Sequence, residues 1–381
     1  MASSADEAVT ITAQCLCKAH TFKTTVPRSN LPLPASACHC DSCRHISGAL
    51  YTAGASWPEP RENVDISGLK KYAYFPAINI LFCGTCSSFM FFEKTESHHE
   101  LEVATCVLNN GKDLVTMDRH IFVGDTVDGG ASMWLRNPNA NGGPVKRFTT
   151  RSSEEEPEGL PFDWPAKSSL TGYEKVTEVS IPVRCKCKGV DFVLKRNNYE
   201  GKKREELPWF IDPRTHKSLG VTCVCDSCRL FCGADLADYT FSELSNIRTT
   251  SGNRLAASLE DLRLSVDAKH VSNGTLAYYA SSPHVQRYFC STCSASIFFA
   301  SDDRPGVMAI NVGVLEASDG ARAEGFISWL FGTIGYKEDA KGGWRAGLAV
   351  RAEQESEEWR VARGYPVNWR KNEEKERMKS R

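Results

Sequence analysis

The sequence predicts a mostly β fold built from two tandem copies of one cysteine-rich domain. Three observations predict it. The chain has 381 residues, more than one ordinary domain needs. Three cysteine clusters recur in the same order with the same internal spacing, which marks an internal repeat. Short apolar runs of strand length flank these clusters, whereas long helical periodicity is hard to find.

The clusters account for fourteen of the sixteen cysteines. Each copy contains a C-x-C pair, then a C-x-C-x-x-C triplet, then a C-x-x-C pair. In the first copy these are Cys15 and Cys17, then Cys38, Cys40 and Cys43, then Cys83 and Cys86; in the second they are Cys185 and Cys187, then Cys223, Cys225 and Cys228, then Cys290 and Cys293. The two remaining cysteines, Cys106 and Cys232, align with Gly313 and Ser47, so we expect small buried residues there.

The repeat predicts the domain organisation. The first domain covers residues 9–150 and the second residues 178–346. An acidic, turn-rich linker at 151–177 joins them. A charged tail at 347–381 ends the chain, in which residues 373–377 form either a short solvated helix or part of a disordered tail. The second copy carries two insertions between its clusters, which we expect to be surface loops.

Strand-like runs support the β assignment in both copies. Residues 78–82 and 89–92 flank the Cys83 pair, the pattern of a hairpin whose turn holds a metal ion. Residues 101–108 partly alternate, and residues 307–315 stand at the equivalent place in the second copy.

Seven cysteines per copy divide naturally into four and three. A structural zinc takes four ligands, whereas a catalytic zinc usually has three protein ligands and one open position. The two pairs therefore predict closed sites, and the triplets predict open ones. We expect two zinc ions per domain, four in total. The closed sites are Cys15, Cys17, Cys83 and Cys86, and Cys185, Cys187, Cys290 and Cys293.

The open sites favour a soft ligand. Three thiolates on Zn²⁺ leave a net charge of about −1, which makes the ion a weak acidifier of water and favours a fourth thiolate. A thiol-bearing small molecule is thus the first expectation. The alternative is a purely structural metal whose fourth ligand is a neighbouring histidine or water. His39 and His45 align with Val224 and Leu230, which argues against a shared histidine ligand.

Composition excludes several classes of protein. The chain is 41% hydrophobic and 24% charged with a formal net charge of −1, so no global field attracts nucleic acid. No apolar run reaches the length of a membrane span, and the first residues lack the features of a secretory signal. We therefore expect the protein to be located in the cytoplasm, with the nucleus as an alternative. A disulfide-rich secreted protein is disfavoured by the tightly spaced triplets.

With these clusters assembled, the chain resembles the glutathione-dependent formaldehyde-activating enzyme and centromere protein V (GFA/CENP-V) family over residues 9–150 and 178–340. The segments that carry the resemblance are residues 38–49 and 287–293. It implies a β-tent-like zinc-binding fold in each copy and a carbon–sulfur lyase that interconverts S-hydroxymethylglutathione with glutathione and formaldehyde. The triplets would be the active-site ligands, and the partners a small thiol such as glutathione and an aldehyde adduct.

Two departures and one alternative accompany the resemblance. The first copy has a family-like segment beginning at His120, whereas residues 325–328, taken as its counterpart, lack a histidine. If that histidine touches substrate, the second copy is the weaker site. The glycine usual after the first C-x-C is absent in the first copy. The alternative function is a non-catalytic zinc scaffold for a protein or nucleic-acid partner, which the centromere branch implies and the basic residues 375–381 slightly support.

Overall fold

The computed structural model describes residues 7–96, 100–151 and 158–379. Within them the chain is mostly β, as predicted, and each copy forms one small and one large sheet. The core of the predicted acidic linker, residues 152–157, lies outside the described residues. Residues 158–164 after it contact the first copy, because the Arg147 guanidinium donates to the carbonyls of Pro161, Phe162 and Trp164.

The first copy pairs β1 with β2 in a small antiparallel sheet and builds an eight-stranded sheet in the order β10-β9-β3-β4-β8-β7-β6-β5. One helix, α1, follows β3. The elements are β1 (Ala8–Gln14), β2 (Thr21–Pro27), β3 (Leu33–Cys38), α1 (Asp41–Ser47), β4 (Thr52–Ser56), β5 (Lys70–Phe75), β6 (Ile78–Phe82), β7 (Phe89–Lys94), β8 (Leu101–Ala104), β9 (Val115–Ile121) and β10 (Lys146–Arg147).

The second copy repeats this plan with a three-stranded sheet, β11-β12-β15, and a seven-stranded sheet, β16-β17-β18-β19-β14-β13-β20. The elements are β11 (Ser180–Arg184), β12 (Asp191–Lys195), β13 (Ser218–Cys223), α2 (Asp226–Cys232), β14 (Ala237–Glu243), β15 (Ile247–Thr249), α3 (Leu259–Asp267), β16 (Leu276–Ser282), β17 (Val285–Cys290), β18 (Ser296–Ser301), β19 (Val307–Asn311) and β20 (Ile327–Gly335). One insertion thus forms β15 and α3 rather than loop alone.

The predicted hairpin at the Cys83 pair is confirmed, and the second copy has its counterpart. β6 pairs antiparallel with β7, and β17 with β18, with a C-x-x-C pair at the turn in each copy. The predicted strand at 101–108 is shorter, because it ends at Ala104 and turns into a 3-10 helix at Thr105–Val107. Its counterpart in the second copy ends in the same way, at Val312–Val314.

Sheet register corrects the alignment of the segment that begins at His120. In the first copy β9 runs parallel to β3, and His120 lies opposite Ala37. In the second copy β20 runs parallel to β13, and Ile334 lies opposite Thr222. The counterpart of His120 is therefore Ile334, and the assignment to residues 325–328 was wrong. The sequence comparison was nine positions out of register, from Gly325 to Ile334.

The charged tail is helical rather than disordered. Helix α4 spans Trp344–Arg363, so the predicted boundary at residue 347 falls inside it, and α5 spans Trp369–Lys379 with mostly exposed side chains. One face of α4 is buried through Leu348, Ala349, Ala352 and Trp359. In the part of the chain that the structure describes, no helix combines the length and apolarity of a transmembrane span.

The two copies pack directly against each other. The Gly313 amide of the second copy donates to the Gly48 carbonyl of the first at 2.9 Å. Gly48 has φ +83°, and a Cβ built on it would lie 2.2 Å from the Ser296 carbonyl oxygen. Only glycine both adopts this positive φ readily and has no Cβ to collide with the neighbouring carbonyl. This close approach places α1 of the first copy beside the second copy, which matters for the site described next.

Candidate metal centres

The paired cysteines of each copy meet in one group. In the first copy, the end of β1 supplies Cys15 and Cys17, and the turn between β6 and β7 supplies Cys83 and Cys86. The Sγ atoms of Cys15 and Cys17 lie 3.6 Å apart, and those of Cys17 and Cys83 lie 3.5 Å apart. The second copy repeats this with Cys185, Cys187, Cys290 and Cys293, where two Sγ–Sγ distances are 3.5 Å.

These distances fit a tetrahedral zinc site. With Zn–S bonds of about 2.3 Å, ligand sulfurs stand roughly 3.8 Å apart. Disulfides need about 2.05 Å, and none of the sixteen cysteines forms one. Backbone amides further favour thiolates: Cys17 donates to Cys86 Sγ at 3.4 Å, and His20 donates to Cys15 Sγ at 3.3 Å. Each four-cysteine group is therefore suited to hold a metal ion.

The triplets form two further groups, each at the junction of a strand and a short helix. Cys38 ends β3, Cys40 precedes α1, and Cys43 lies in its first turn. Cys40 Sγ accepts from the Cys43 amide at 3.3 Å, so the turn itself gathers the sulfurs. Cys223, Cys225 and Cys228 lie in the same way between β13 and α2, and in both triplets the Sγ atoms lie within 4.8 Å of one another.

A tyrosine from strand β5 covers the first triplet. The Tyr74 hydroxyl on β5 donates to Cys43 Sγ at 3.2 Å and lies 3.8 Å from Cys40 Sγ. Burial beside these sulfurs raises the pKa of Tyr74. Cys43 is buried, whereas Cys38 and Cys40 retain partial exposure. The site thus has one enclosed side, formed by Tyr74, and two partly exposed ligands.

The second triplet has different neighbours. Sheet register pairs Tyr72 with Ile80 in the first copy and Tyr279 with Arg287 in the second. Arg287 therefore replaces Ile80, and Ser281 replaces Tyr74. The Arg287 guanidinium donates to Cys228 Sγ at 3.9 Å and to Ser281 Oγ at 3.0 Å. A cation thus stands beside the second triplet where the first has a phenol.

His120 does not face a metal group. It is fully buried, and its Nε2 lies 2.7 Å from the Leu135 carbonyl oxygen. Because a carbonyl oxygen can only accept a hydrogen bond, Nε2 carries the proton and donates it. Its Nδ1 then accepts from His39 Nε2 at 2.9 Å. Burial lowers the pKa of His120 to about 4. Its complete burial argues against contact with substrate, the condition under which the second copy was expected to be the weaker site.

The two unassigned cysteines lie outside the four groups. Cys106 and Cys232 are both completely buried, as predicted for small core residues. Burial raises the pKa of Cys106 to about 12. Cys232 Sγ contacts the Tyr239 hydroxyl at 3.0 Å and accepts from Asn311 Nδ2 at 2.9 Å.

A polar cleft next to the first triplet was missed by sequence reasoning. It has a volume of about 400 Å³ and is lined by residues of both copies, among them Asp41, Ser42, Asp125, Lys186 and Lys188. The Asp41 amide donates to the Asp125 carboxylate at 3.4 Å. One signal was visible in the sequence: Lys186, between two paired cysteines, replaces the apolar Leu16 of the first copy.

Comparison with known proteins identifies the repeat. The family model for the glutathione-dependent formaldehyde-activating enzyme matches residues 10–125 and 212–328, well over half of the chain. No curated protein matches. Among solved structures, a Rhodobacter sphaeroides protein aligns at 19% identity, covering 39% of this chain and 98% of that chain, with a TM-score of 0.23. Two family segments, each with its own cysteine triplet and C-x-x-C pair, show that the chain belongs to the glutathione-dependent formaldehyde-activating enzyme family as two tandem copies.

Proposed function

We propose that this protein is a zinc-dependent carbon–sulfur lyase that acts on the adduct of an aldehyde with a glutathione-like thiol. The observation that carries the proposal is the first triplet: three thiols are gathered at one turn, with Cys38 and Cys40 partly exposed. Asp41 and Ser42, which separate Cys40 from Cys43, line a polar cleft of about 400 Å³. A three-thiolate zinc site supplies an open position that favours a sulfur ligand. The cleft has room for a peptide-sized thiol.

The reaction needs little from the protein beyond positioning. In S-hydroxymethylglutathione the carbon–sulfur bond breaks, sulfur keeps the electron pair as thiolate, and the hydroxyl proton leaves as the carbonyl of formaldehyde forms. Stabilising the sulfur anion and holding the adduct in one orientation therefore lower the barrier.

The chain's own residues provide that positioning. Tyr74 donates to Cys43 Sγ, and the Cys43 amide donates to Cys40 Sγ, which holds these sulfurs in place as second-layer hydrogen bonds do in metal sites. Asp41 and Asp125 line the cleft, where their carboxylates can bind an ammonium group of the substrate. The second triplet is a further candidate centre, in which Arg287 offsets part of the thiolate charge.

The test is whether the protein accelerates the exchange between glutathione, formaldehyde and their adduct at neutral pH. We would add zinc-loaded full-length protein to glutathione and ¹³C-formaldehyde and measure the exchange rate by NMR. We expect acceleration that falls at least tenfold in Cys38→Ser, while Cys106→Ala, which changes a buried cysteine outside the groups, matches the wild type.

A scaffold function makes the opposite prediction. If fully zinc-loaded wild-type protein leaves the exchange rate unchanged, the lyase proposal is wrong and the non-catalytic scaffold is favoured. Deleting residues 350–381 is not a clean test of that scaffold, because α4 packs into the body of the protein. Charge reversal at exposed positions of α5, such as Arg377, is the better variant for assays of partner binding.

A further inference from the structure

Lys186 lies between Cys185 and Cys187, two ligands of the second copy's closed group, yet its side chain reaches the first copy. Its Nζ donates to Ser42 Oγ at 2.5 Å, and Ser42 precedes the triplet residue Cys43. The same Nζ lies 5.6 Å from the ring centroid of Tyr74, the residue whose hydroxyl contacts Cys43, and 5.2 Å from that of Phe75. The ammonium thus stands beside the first triplet.

The backbone of this segment is fixed against the first copy. The Lys186 amide donates to the His45 carbonyl at 2.9 Å, and His45 Nδ1 donates to the Arg184 carbonyl at 2.6 Å. These two hydrogen bonds join the end of β11 to α1. Lys186 therefore lies at a rigid junction rather than in a free loop. Its neighbours Cys185 and Cys187 both belong to the closed group, and a metal ion bound there adds to that rigidity.

The ammonium has no carboxylate partner among the described residues. The ion pairs of the cleft lie elsewhere, between Arg44 and Asp41 and between Arg184 and Glu316. A lysine with a hydroxyl and aromatic rings as its contacts retains two N–H donors for an anionic ligand. The aromatic faces of Tyr74 and Phe75 hold the cation in place without neutralising it.

We infer that Lys186 is a specificity-determining residue of the first copy's site, supplied by the second copy, and that it binds a carboxylate of the thiol substrate. The inference rests on the proposed function and narrows it to thiols that carry a carboxylate. Glutathione fits, since it bears two carboxylates and one ammonium, and the cleft offers Lys186 and Lys188 together with Asp41 and Asp125.

The second triplet lacks this residue. The counterpart of Lys186 is Leu16, an apolar side chain between Cys15 and Cys17. At this position the first site therefore receives a cation from the other copy and the second site does not, which gives the fusion of the two copies in one chain a functional reason. The substitution Lys186→Leu copies what the first repeat already tolerates between its own ligands.

The experiment compares two adducts on zinc-loaded full-length variants: S-hydroxymethylglutathione and the uncharged hydroxymethyl adduct of 2-mercaptoethanol. We expect Lys186→Leu to raise KM about tenfold for the glutathione adduct, to leave kcat within about twofold, and to leave the mercaptoethanol adduct unaffected. Lys186→Arg should restore most of the affinity. Lys195→Leu, an exposed lysine on β12, is the matched charge control.

The inference is overturned if Lys186→Leu behaves like Lys195→Leu or weakens both adducts equally. Calorimetry on wild-type protein provides a test that needs no variant: glutathione should bind about tenfold more tightly than its diethyl ester, and equal affinities overturn the inference. If the ester binds more weakly but the wild type catalyses no exchange, the proposed lyase activity fails while the carboxylate site stands.

Discussion

Arg345 Nε donates to Asp235 Oδ1 at 2.8 Å, and neither side chain is more than 1% exposed. Arg345 lies in the first turn of helix α4, and Asp235 follows α2 of the second copy. Asp235 also accepts from Thr105 Oγ1 of the first copy at 2.5 Å, and Arg345 donates to the Thr105 carbonyl at 2.5 Å. One buried ion pair therefore joins both copies and the C-terminal helix.

We predict that Arg345→Leu lowers the free energy of unfolding by about 3–5 kcal/mol, because it leaves the Asp235 carboxylate buried without its partner. The measurement is urea unfolding followed by circular dichroism in zinc-containing buffer. Lys341→Ala is the control, since Lys341 and Glu338 are both exposed and such pairs contribute less than about 1 kcal/mol. Equal effects of the two substitutions would show that the buried pair does not join these parts.

The His39–His120 pair gives a double-mutant prediction. The second copy has Val224 and Ile334 at these two positions, both buried. We expect His120→Ile alone to cost about 1–3 kcal/mol, because His39 Nε2 loses its acceptor in the core. His39→Val combined with His120→Ile should recover most of that loss. Unfolding energies of the four proteins test it, and additive losses would contradict the pairing.

The same pair predicts a dependence of stability on pH. The pKa of His120 is about 4 in the fold and about 6.5 in an unfolded chain. Between these values the unfolded state binds a proton that the folded state does not, so stability decreases as pH falls. Each histidine contributes a loss of at most about 1.4 kcal/mol per pH unit, and since burial also lowers the pKa of His39, the two together lose at most about twice that. We expect wild type to lose stability relative to the Val/Ile double variant from pH 6.5 to 4; parallel curves would refute this.

The repeat and the mostly β fold could be predicted from the sequence because cysteine spacing and strand alternation are local patterns. Helix α4 was missed because its buried face mixes two large apolar residues, Leu348 and Trp359, with small and charged ones such as Ala352 and Glu355, so its apolar periodicity is weak. The Glu355 carboxylate accepts from the amides of Arg136 and Asn137 at 2.7 and 2.8 Å, a partnership between distant segments. The position of Lys186 at the first triplet was equally hidden, since it depends on how the copies pack.

The metal ions of the closed and open groups should differ in how much they stabilise the fold. We predict four bound zinc ions, falling to three in both Cys17→Ser and Cys38→Ser, two half-buried cysteines of the first copy. The losses of stability should differ, because the closed group connects Cys17 to Cys83 across 66 positions of chain, whereas the triplet closes a single turn. Metal binding that closes a long loop contributes directly to folding.

We therefore expect Cys17→Ser to lower the free energy of unfolding by several kcal/mol, and Cys38→Ser by about 1 kcal/mol, the scale of a local change. Elemental analysis gives the zinc content, and urea unfolding gives the stability of the same samples. Cys106→Ala controls for loss of a buried thiol outside the groups and should retain four zinc ions. Equal destabilisation by the two serine variants would contradict the division of each copy into a metal that supports the fold and a metal that is open to substrate.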